Sequence, residues 1–281
     1  MKYIKLVISI QDEYQETLIS ELLEMEFDAF EQQDGRIITY VPKERFSDVH
    51  RERIEGILRA YPGDGFIETE EVVADRNWNE EWEKTIVAQN IGKFYVKPTW
   101  QRGEPDNDSI LLEIDPKMAF GTGYHETTRL MLKLLPSVIE GDDIVLDAGT
   151  GTGILAIAAI KLGADKAFAF DIDEWSITNT RENILLNGVE KKVAVRKGSL
   201  ETIPSGSQYD VILANIERNT ILDMLPKLKR LLKEEGRMLL SGLLEKDEPS
   251  VTQKLEDLEL KVKEIRQENE WIAYSVENRI V

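Results

Sequence analysis

Residues 3–10 (YIKLVISI) form an apolar run of strand length, and from Asp12 to about Glu26 the positions Leu18, Ile19, Leu22 and Leu23 share one helical face. Two β-like runs, FDAFEQQ and RIITYV, then flank Asp34-Gly35. That dipeptide signals a hairpin, because glycine readily takes the positive φ of a tight turn. A second helix is expected from about Lys43 to Ala60 and a last strand from Phe66 to Val73. The order β-α-β-β-α-β predicts a small ferredoxin-like α+β domain. Its end is placed near Asp75, because the turn-rich stretch Tyr61-Pro62-Gly63-Asp64-Gly65 precedes the final strand.

Beyond this domain (residues 1–75), a connecting region spans residues 76–141. Trp78 and Trp82, spaced i and i+4, share a face of a short charged helix, where packing is the expected role and a substrate contact the alternative. Strands at roughly 93–98 and 109–114 flank the polar loop from Gln101 to Asp108. From residue 142 to 281 the pattern is α/β: DIVLDA, KAFAFD, KVAVRK, YDVILAN and RMLLSGLL alternate with helices starting near Gly153, Glu174, Arg218 and Asp247. Near-continuous apolar strands between amphipathic helices imply a mainly parallel, doubly wound sheet covered on both faces. The tail, LKVKEIRQ then EWIAYSVEN, reads as two adjacent strands.

With 281 residues, 42% of them hydrophobic, two domains are expected. The chain has no cysteine, which excludes disulfides, thiolate metal sites and cysteine nucleophiles, and fits a reducing cytoplasm. Asp12 and Glu13 interrupt the N-terminal apolar run too early for a signal peptide, and no run approaches the ~18 apolar residues of a spanning helix. The expected protein is cytoplasmic, with no membrane association. The net charge of -18 is uneven: residues 1–75 hold 8 Lys+Arg against 18 Asp+Glu. Such a surface repels phosphate backbones and attracts cations, arguing against nucleic acid and for a basic protein partner, although acidity also serves solubility.

The candidate chemistry gathers at strand ends. Asp147-Ala148-Gly149-Thr150-Gly151-Thr152-Gly153 joins the first strand of the α/β region to the helix ILAIAAIKLG. Glycines there let a ligand approach the backbone near a helix N-terminus. The spacing is G-x-G-x-G, and Ile154 stands where a dinucleotide fingerprint has its third glycine, which disfavours NAD. The second strand ends at Asp171, 22 residues after Gly149, where an acid can accept from both ribose hydroxyls of an adenosine. Asp173 is the neighbouring alternative, better suited to cap the next helix. Asn215 ends the fourth strand, near the expected reacting centre. A turn or capping asparagine is its structural alternative, and Ile216-Glu217 replaces the prolines and aromatic residue of N-P-P-Y. The loop DPKMAFGTGYHETT, from Asp115 to Thr128, suits a lid over a small polar ligand. His125 within it is expected to position rather than catalyse. With only His50 besides, no histidine metal cluster is available, and no metal is expected.

The stretches NWNEEWEK, DPKMAFGTGYHETT, IVLDAGTGTGILAIAA, FDIDEWSI and DVILANIERN, spanning residues 77 to 219, closely resemble the bacterial methyltransferases that modify ribosomal protein L11. The resemblance implies a Rossmann-like class I methyltransferase domain whose doubly wound sheet ends in an antiparallel hairpin. It implies S-adenosylmethionine as methyl donor, contacting Thr128, Gly149, Gly151, Asp171 and Asn215, with Phe120 and the Gly121-Thr122-Gly123 turn lining the site. It further implies that Asn215 serves catalysis, that the N-terminal domain grips the substrate, and that lysine side chains and the N-terminal α-amine of ribosomal protein L11, free or in the ribosome, are methylated. A monomer is the expected state. After the third strand this chain has Gly198-Ser199-Leu200 in place of the acid that many methyltransferases put near adenine, so Ser199 or a backbone group would serve. The alternatives are a methyltransferase of the same fold acting on another basic protein or a small molecule, and a non-enzymatic ribosome-assembly adaptor.

Overall fold

The computed structural model describes residues 2–23, 25, 27, 29–63, 65–74, 86–117 and 119–278, so the charged helix expected around Trp78 and Trp82 lies outside the described residues. The chain divides into two compact units, Met1–Glu81 and Trp82–Val281.

The first unit runs β1 (Lys2–Ser9), α1 (Asp12–Leu23), β2 (Ala29–Gln33), β3 (Arg36–Pro42), α2 (Asp48–Ala60) and β4 (Phe66–Ala74). Its sheet has the order β2-β3-β1-β4 with antiparallel neighbours. Alternate side chains of β1, Ile4, Leu6 and Ile8, are buried in one cluster with Leu18 and Leu22 of α1 and Ile54 and Leu58 of α2. The Asp34-Gly35 hairpin forms as expected, and Asp12 Oδ1 accepts from Gly35 N–H at 2.8 Å. Helix α2 starts at Asp48, not Lys43, because Arg45 N–H closes a turn on Pro42 O and the extended Ser47 stands at the N-cap.

In the second unit β5 (Gln89–Ile91), β6 (Phe94–Lys97) and β7 (Ile110–Glu113) form a small sheet; β5, only three residues long, was not among the expected strands. After α3 (Glu126–Leu134) comes the main α/β run. Its elements are β8 (Ile144–Ala148), α4 (Ile154–Leu162), β9 (Lys166–Asp171), α5 (Glu174–Leu186), β10 (Val193–Lys197), β11 (Tyr209–Asn215), α6 (Arg218–Leu231), β12 (Leu232–Leu244), α7 (Glu248–Asp257), β13 (Leu260–Glu268) and β14 (Trp271–Asn278).

The seven strands take the order β10-β9-β8-β11-β12-β14-β13. Pairing from β10 through β12 is parallel, whereas β14 is antiparallel to both β12 and β13. The parallel strands carry apolar side chains on both faces, in two buried clusters: Val145, Val211 and Leu239 in one, Leu146, Ile212 and Leu240 in the other. β12 begins earlier than Arg237 and is interrupted at Glu235, whose φ is +61°. The chain winds outward from β8 toward β10 and, on the other side, from β11 toward β12. The carboxyl ends of β8 and β11 therefore border the switch point where such sheets hold ligands. Among the described residues no helix is long and apolar enough to cross a membrane.

Candidate functional site

A cleft of about 580 Å³ opens at that switch point. Its floor is the glycine loop between β8 and α4. Gly149 and Gly151 have φ of +73° and +57°, a region where L side chains are strained. A Cβ on Gly149 would overlap the Ile216 side chain, and one on Gly151 would overlap the Phe120 carbonyl oxygen. The cradle thus needs glycine both for conformation and for close approach.

Two carboxylates hold the loop from below. Asp147 Oδ2 accepts from Thr150 Oγ1 at 2.6 Å and from Ala156 N–H at 3.3 Å, in the first turn of α4. Burial pushes the Asp147 carboxyl up to about 6, against the lowering effect of its Thr150 and Ala156 hydrogen bonds. Asp171, at the end of β9, accepts from Gly151 N–H at 2.9 Å through Oδ2 and from Asp173 N–H at 3.0 Å through Oδ1. Loop donors that a dinucleotide site would turn toward a pyrophosphate are here engaged within the chain, Gly149 and Thr150 N–H by Phe170 O, Gly151 N–H by Asp171 and Thr152 N–H by Phe120 O, so the loop suits a ligand without a phosphate. Each Asp171 oxygen retains a lone pair for a second donor. Asp173 caps α5, accepting from Ser176 N–H at 2.8 Å, and this bond lowers its pKa.

The opposite end of the cleft is built by β11, the lid loop and the terminal hairpin. Asn215 is 9% exposed; its Nδ2 donates to Thr128 Oγ1 at 3.4 Å, while Oδ1 has no hydrogen-bond partner among the described residues. A buried amide oxygen left without a donor is costly, so it marks a place where a ligand donor is accommodated. Three rings line the same cleft: His125 lies 5.2 Å from Phe120 and 4.8 Å, edge-on, from Trp271. His125 N-caps α3, with Nδ1 accepting from Thr127 N–H at 3.3 Å. Trp271 is brought there by ionic ties between α3 and the hairpin: Glu268 accepts from Arg129 Nε at 2.6 Å and from Lys133 Nζ at 2.8 Å. Burial alone would raise the Glu268 pKa, but these two cations hold it below its ordinary value.

Of the residues expected at the site, Phe120, Gly149, Gly151, Asp171 and Asn215 line the cleft, as does Ser199. Thr128 lies behind Asn215 as its hydrogen-bond partner. Gly121, Thr122 and Gly123 lie in the lid's supporting turn, where Gly121 O accepts from Thr152 Oγ1 at 2.6 Å and Tyr124 N–H donates to Thr122 Oγ1 at 3.2 Å. Trp271, Ile172, Met224 and Gly242 also line the cleft and were not among the expected residues. Gly242 carried an unused signal: an isolated glycine within an apolar strand marks a close approach, here to the Ile216 backbone at φ +87°. Trp271 had none, since only the folded hairpin brings it near.

The cleft therefore combines a carboxylate suited to adjacent hydroxyls, the apolar side chains of Ile172 and Met224, a neutral amide and three aromatic rings. Comparison with known proteins agrees with this arrangement. Residues 2–279 match the sequence model of the family described as "Ribosomal protein L11 methyltransferase (PrmA)". A protein named ribosomal protein L11 methyltransferase from Porphyromonas gingivalis is 39% identical over 260 residues, 91% of this chain and 88% of the relative. One of the same name from Chlorobaculum parvum is 34% identical over 279 residues, 98% and 96% of the two chains. The crystal structure of a ribosomal protein L11 methylase from Lactobacillus delbrueckii subsp. bulgaricus superimposes with a TM-score of 0.65 at 32% identity, covering 69% of this chain and 100% of that one. The large sheet is accordingly that of the Rossmann-like class I methyltransferases. With a family match that extends from the first strand to the last, this chain belongs to the ribosomal protein L11 methyltransferase family.

Proposed function

We propose that the protein transfers methyl groups from S-adenosylmethionine to amino groups of ribosomal protein L11, namely lysine side chains and the N-terminal α-amine. The observation that carries this reading is the unpaired Asn215 carbonyl oxygen in a cleft that Asp171, Phe120, His125 and Trp271 also line. The glycine cradle, which a Cβ would fill, and the free lone pairs of Asp171 fit an adenosine-bearing donor. When bound, S-adenosylmethionine supplies an electrophilic methyl group on a sulfonium.

The chain's own residues divide the remaining tasks. Asp171 holds the ribose hydroxyls, Gly149 and Gly151 admit the ligand to the backbone, and Phe120, carried on the Gly121-Thr122-Gly123 turn, closes the cleft. Asn215, steadied by Thr128, accepts a hydrogen bond from the incoming amine and aims its lone pair. A lysine arrives protonated from a reference pKa of ~10.4, and the apolar, ring-lined surroundings favour the neutral form that can react. Alignment of this kind can contribute several kcal/mol, up to about 7–11 in ideal cases.

The first unit acts as a ferredoxin-like substrate-docking domain. Its strand order β2-β3-β1-β4 supports the fold, and the excess of 18 Asp+Glu over 8 Lys+Arg in residues 1–75 supports a basic protein partner. A monomer working in the cytoplasm is the simplest form of this account. Replacement Asn215→Ala is expected to lower turnover on ribosomal protein L11 by tenfold or more. Wild-type turnover with an unchanged product distribution would refute the role of Asn215.

A further inference from the structure

Helix α5 carries asparagines four residues apart, Asn179 and Asn183, with Asn187 at its C-cap, so all three point to one side. Asn183 is 0% exposed and has both amide atoms bonded, as a buried amide requires, whereas Asn179, 2% exposed, donates through Nδ2 and leaves Oδ1 without a partner among the described residues. They meet the backbone that leads into the lid. Asn187 brackets Glu113, accepting from its N–H at 3.1 Å and donating to its carbonyl at 2.7 Å. Asn183 accepts from Asp115 N–H at 3.0 Å, and Asn179 donates to Asp115 O at 2.7 Å. The helix thus replaces a neighbouring strand for this segment.

Asn183 does one thing more. Its Nδ2 also donates to Thr152 O at 2.9 Å, inside the glycine loop. Thr152 in turn donates from its N–H to Phe120 O at 2.9 Å and from Oγ1 to Gly121 O at 2.6 Å. A closed circuit results: Asp115 at the start of the lid, Asn183, Thr152, then Phe120 and Gly121 farther along the same lid. We propose that Asn183 is a positioning residue that locks the lid to the glycine loop, so that the two walls of the cleft move as one body. Resting on the proposed cofactor site, the inference specifies what keeps that site in register.

Asn187 is the internal control: it bonds Glu113 and donates to Asn183 O at 2.8 Å, but its side chain hydrogen-bonds neither Thr152 nor Asp115. Amide hydrogen exchange on the ligand-free protein reads the lock directly. In Asn183→Ala, residues 119–124 and 150–153 should exchange faster together, by tenfold or more, whereas Asn187→Ala should leave both segments at wild-type rates. Calorimetry should show S-adenosylmethionine binding at least tenfold more weakly to Asn183→Ala and within twofold of wild type to Asn187→Ala. If Asn183→Ala does not fold, Thr152→Val, which keeps the side chain's shape and removes only the Oγ1 bond to Gly121 O, should show the same joint acceleration at a smaller size. Independent exchange of the two segments, wild-type rates in both, or equal effects of Asn183→Ala and Asn187→Ala would overturn the proposal. The exchange result stands apart from the proposed cofactor site, which fails if the wild-type protein does not bind S-adenosylmethionine.

Discussion

Replacing Asp171 by asparagine keeps the side chain's shape and alters only what its two oxygens can do. In the native site one oxygen accepts from Gly151 N–H at 2.9 Å and the other from Asp173 N–H at 3.0 Å. In the proposed site the remaining lone pairs would receive a ligand's paired hydroxyls. An amide supplies one oxygen and one NH2 group, so whichever way it turns, the NH2 opposes a backbone N–H and one ligand hydroxyl loses its acceptor. Hydrogen bonds to a charged group are worth about 1.5–3 kcal/mol, which for the lost ligand bond alone corresponds to roughly a 10- to 150-fold weaker complex. Calorimetric titration of Asp171→Asn with S-adenosylmethionine measures this, with thermal melting as a check that the fold persists. The reasoning is refuted if the variant is folded and binds with wild-type affinity, because a carboxylate that could lose an acceptor without consequence would not be holding the ligand.

Three other substitutions follow from the same geometry. Gly151→Ala combines a left-handed φ of +57° with overlap on the Phe120 carbonyl, so it should cost at least about 1–2 kcal/mol and lower Tm by roughly 2–8 °C, and an unchanged melting curve would contradict it. Trp271→Ala removes the ring packed edge-on against His125 at 4.8 Å; aromatic pairs are worth about 0.5–1.5 kcal/mol, so kcat/KM on ribosomal protein L11 should fall by roughly 2- to 12-fold, and an equal value would remove Trp271 from the site. Asp147 has a carboxyl raised from 3.8 to about 6, so the native state holds its proton more tightly than the unfolded chain and this contribution to stability, on the order of 3 kcal/mol, is full below about pH 4 and lost as pH rises through about 6. The stability of wild type relative to Asp147→Asn, whose amide does not titrate, should fall across that window in denaturant titrations at stepped pH; a constant difference would show that Asp147 keeps an ordinary pKa.

The sequence was most legible where one residue pattern has one structural meaning. Near-continuous apolar runs such as YDVILAN identify buried parallel strands, and the interval from Gly149 to Asp171 reflects one strand-helix-strand step between two loops at the same sheet edge. The start of α2 was harder to read because residues 43–47 have helix-compatible composition, yet Arg45 closes a turn on Pro42. The strand β5 is too short to show a period. Asp171 and Asn215 were readable as cleft residues because strand ends at a switch point border the crevice of such sheets. Trp271 was not, since its place beside His125 depends on β14 inserting between β12 and β13 and on the Arg129–Glu268 pair. The asparagine ladder shows its spacing in the sequence, but its partners are backbone groups of Glu113, Asp115 and Thr152, and backbone leaves no mark in side-chain identity.

The most direct test of the central claim is to incubate the purified protein with isotopically labelled S-adenosylmethionine and free ribosomal protein L11, then follow the substrate by intact-mass and peptide mass spectrometry. The expected result is a series of one-methyl increments confined to lysine side chains and the N-terminal α-amine, and absent without the methyl donor. An L11 mass that stays constant, under conditions where the protein binds S-adenosylmethionine, would contradict the assignment of L11 as the acceptor.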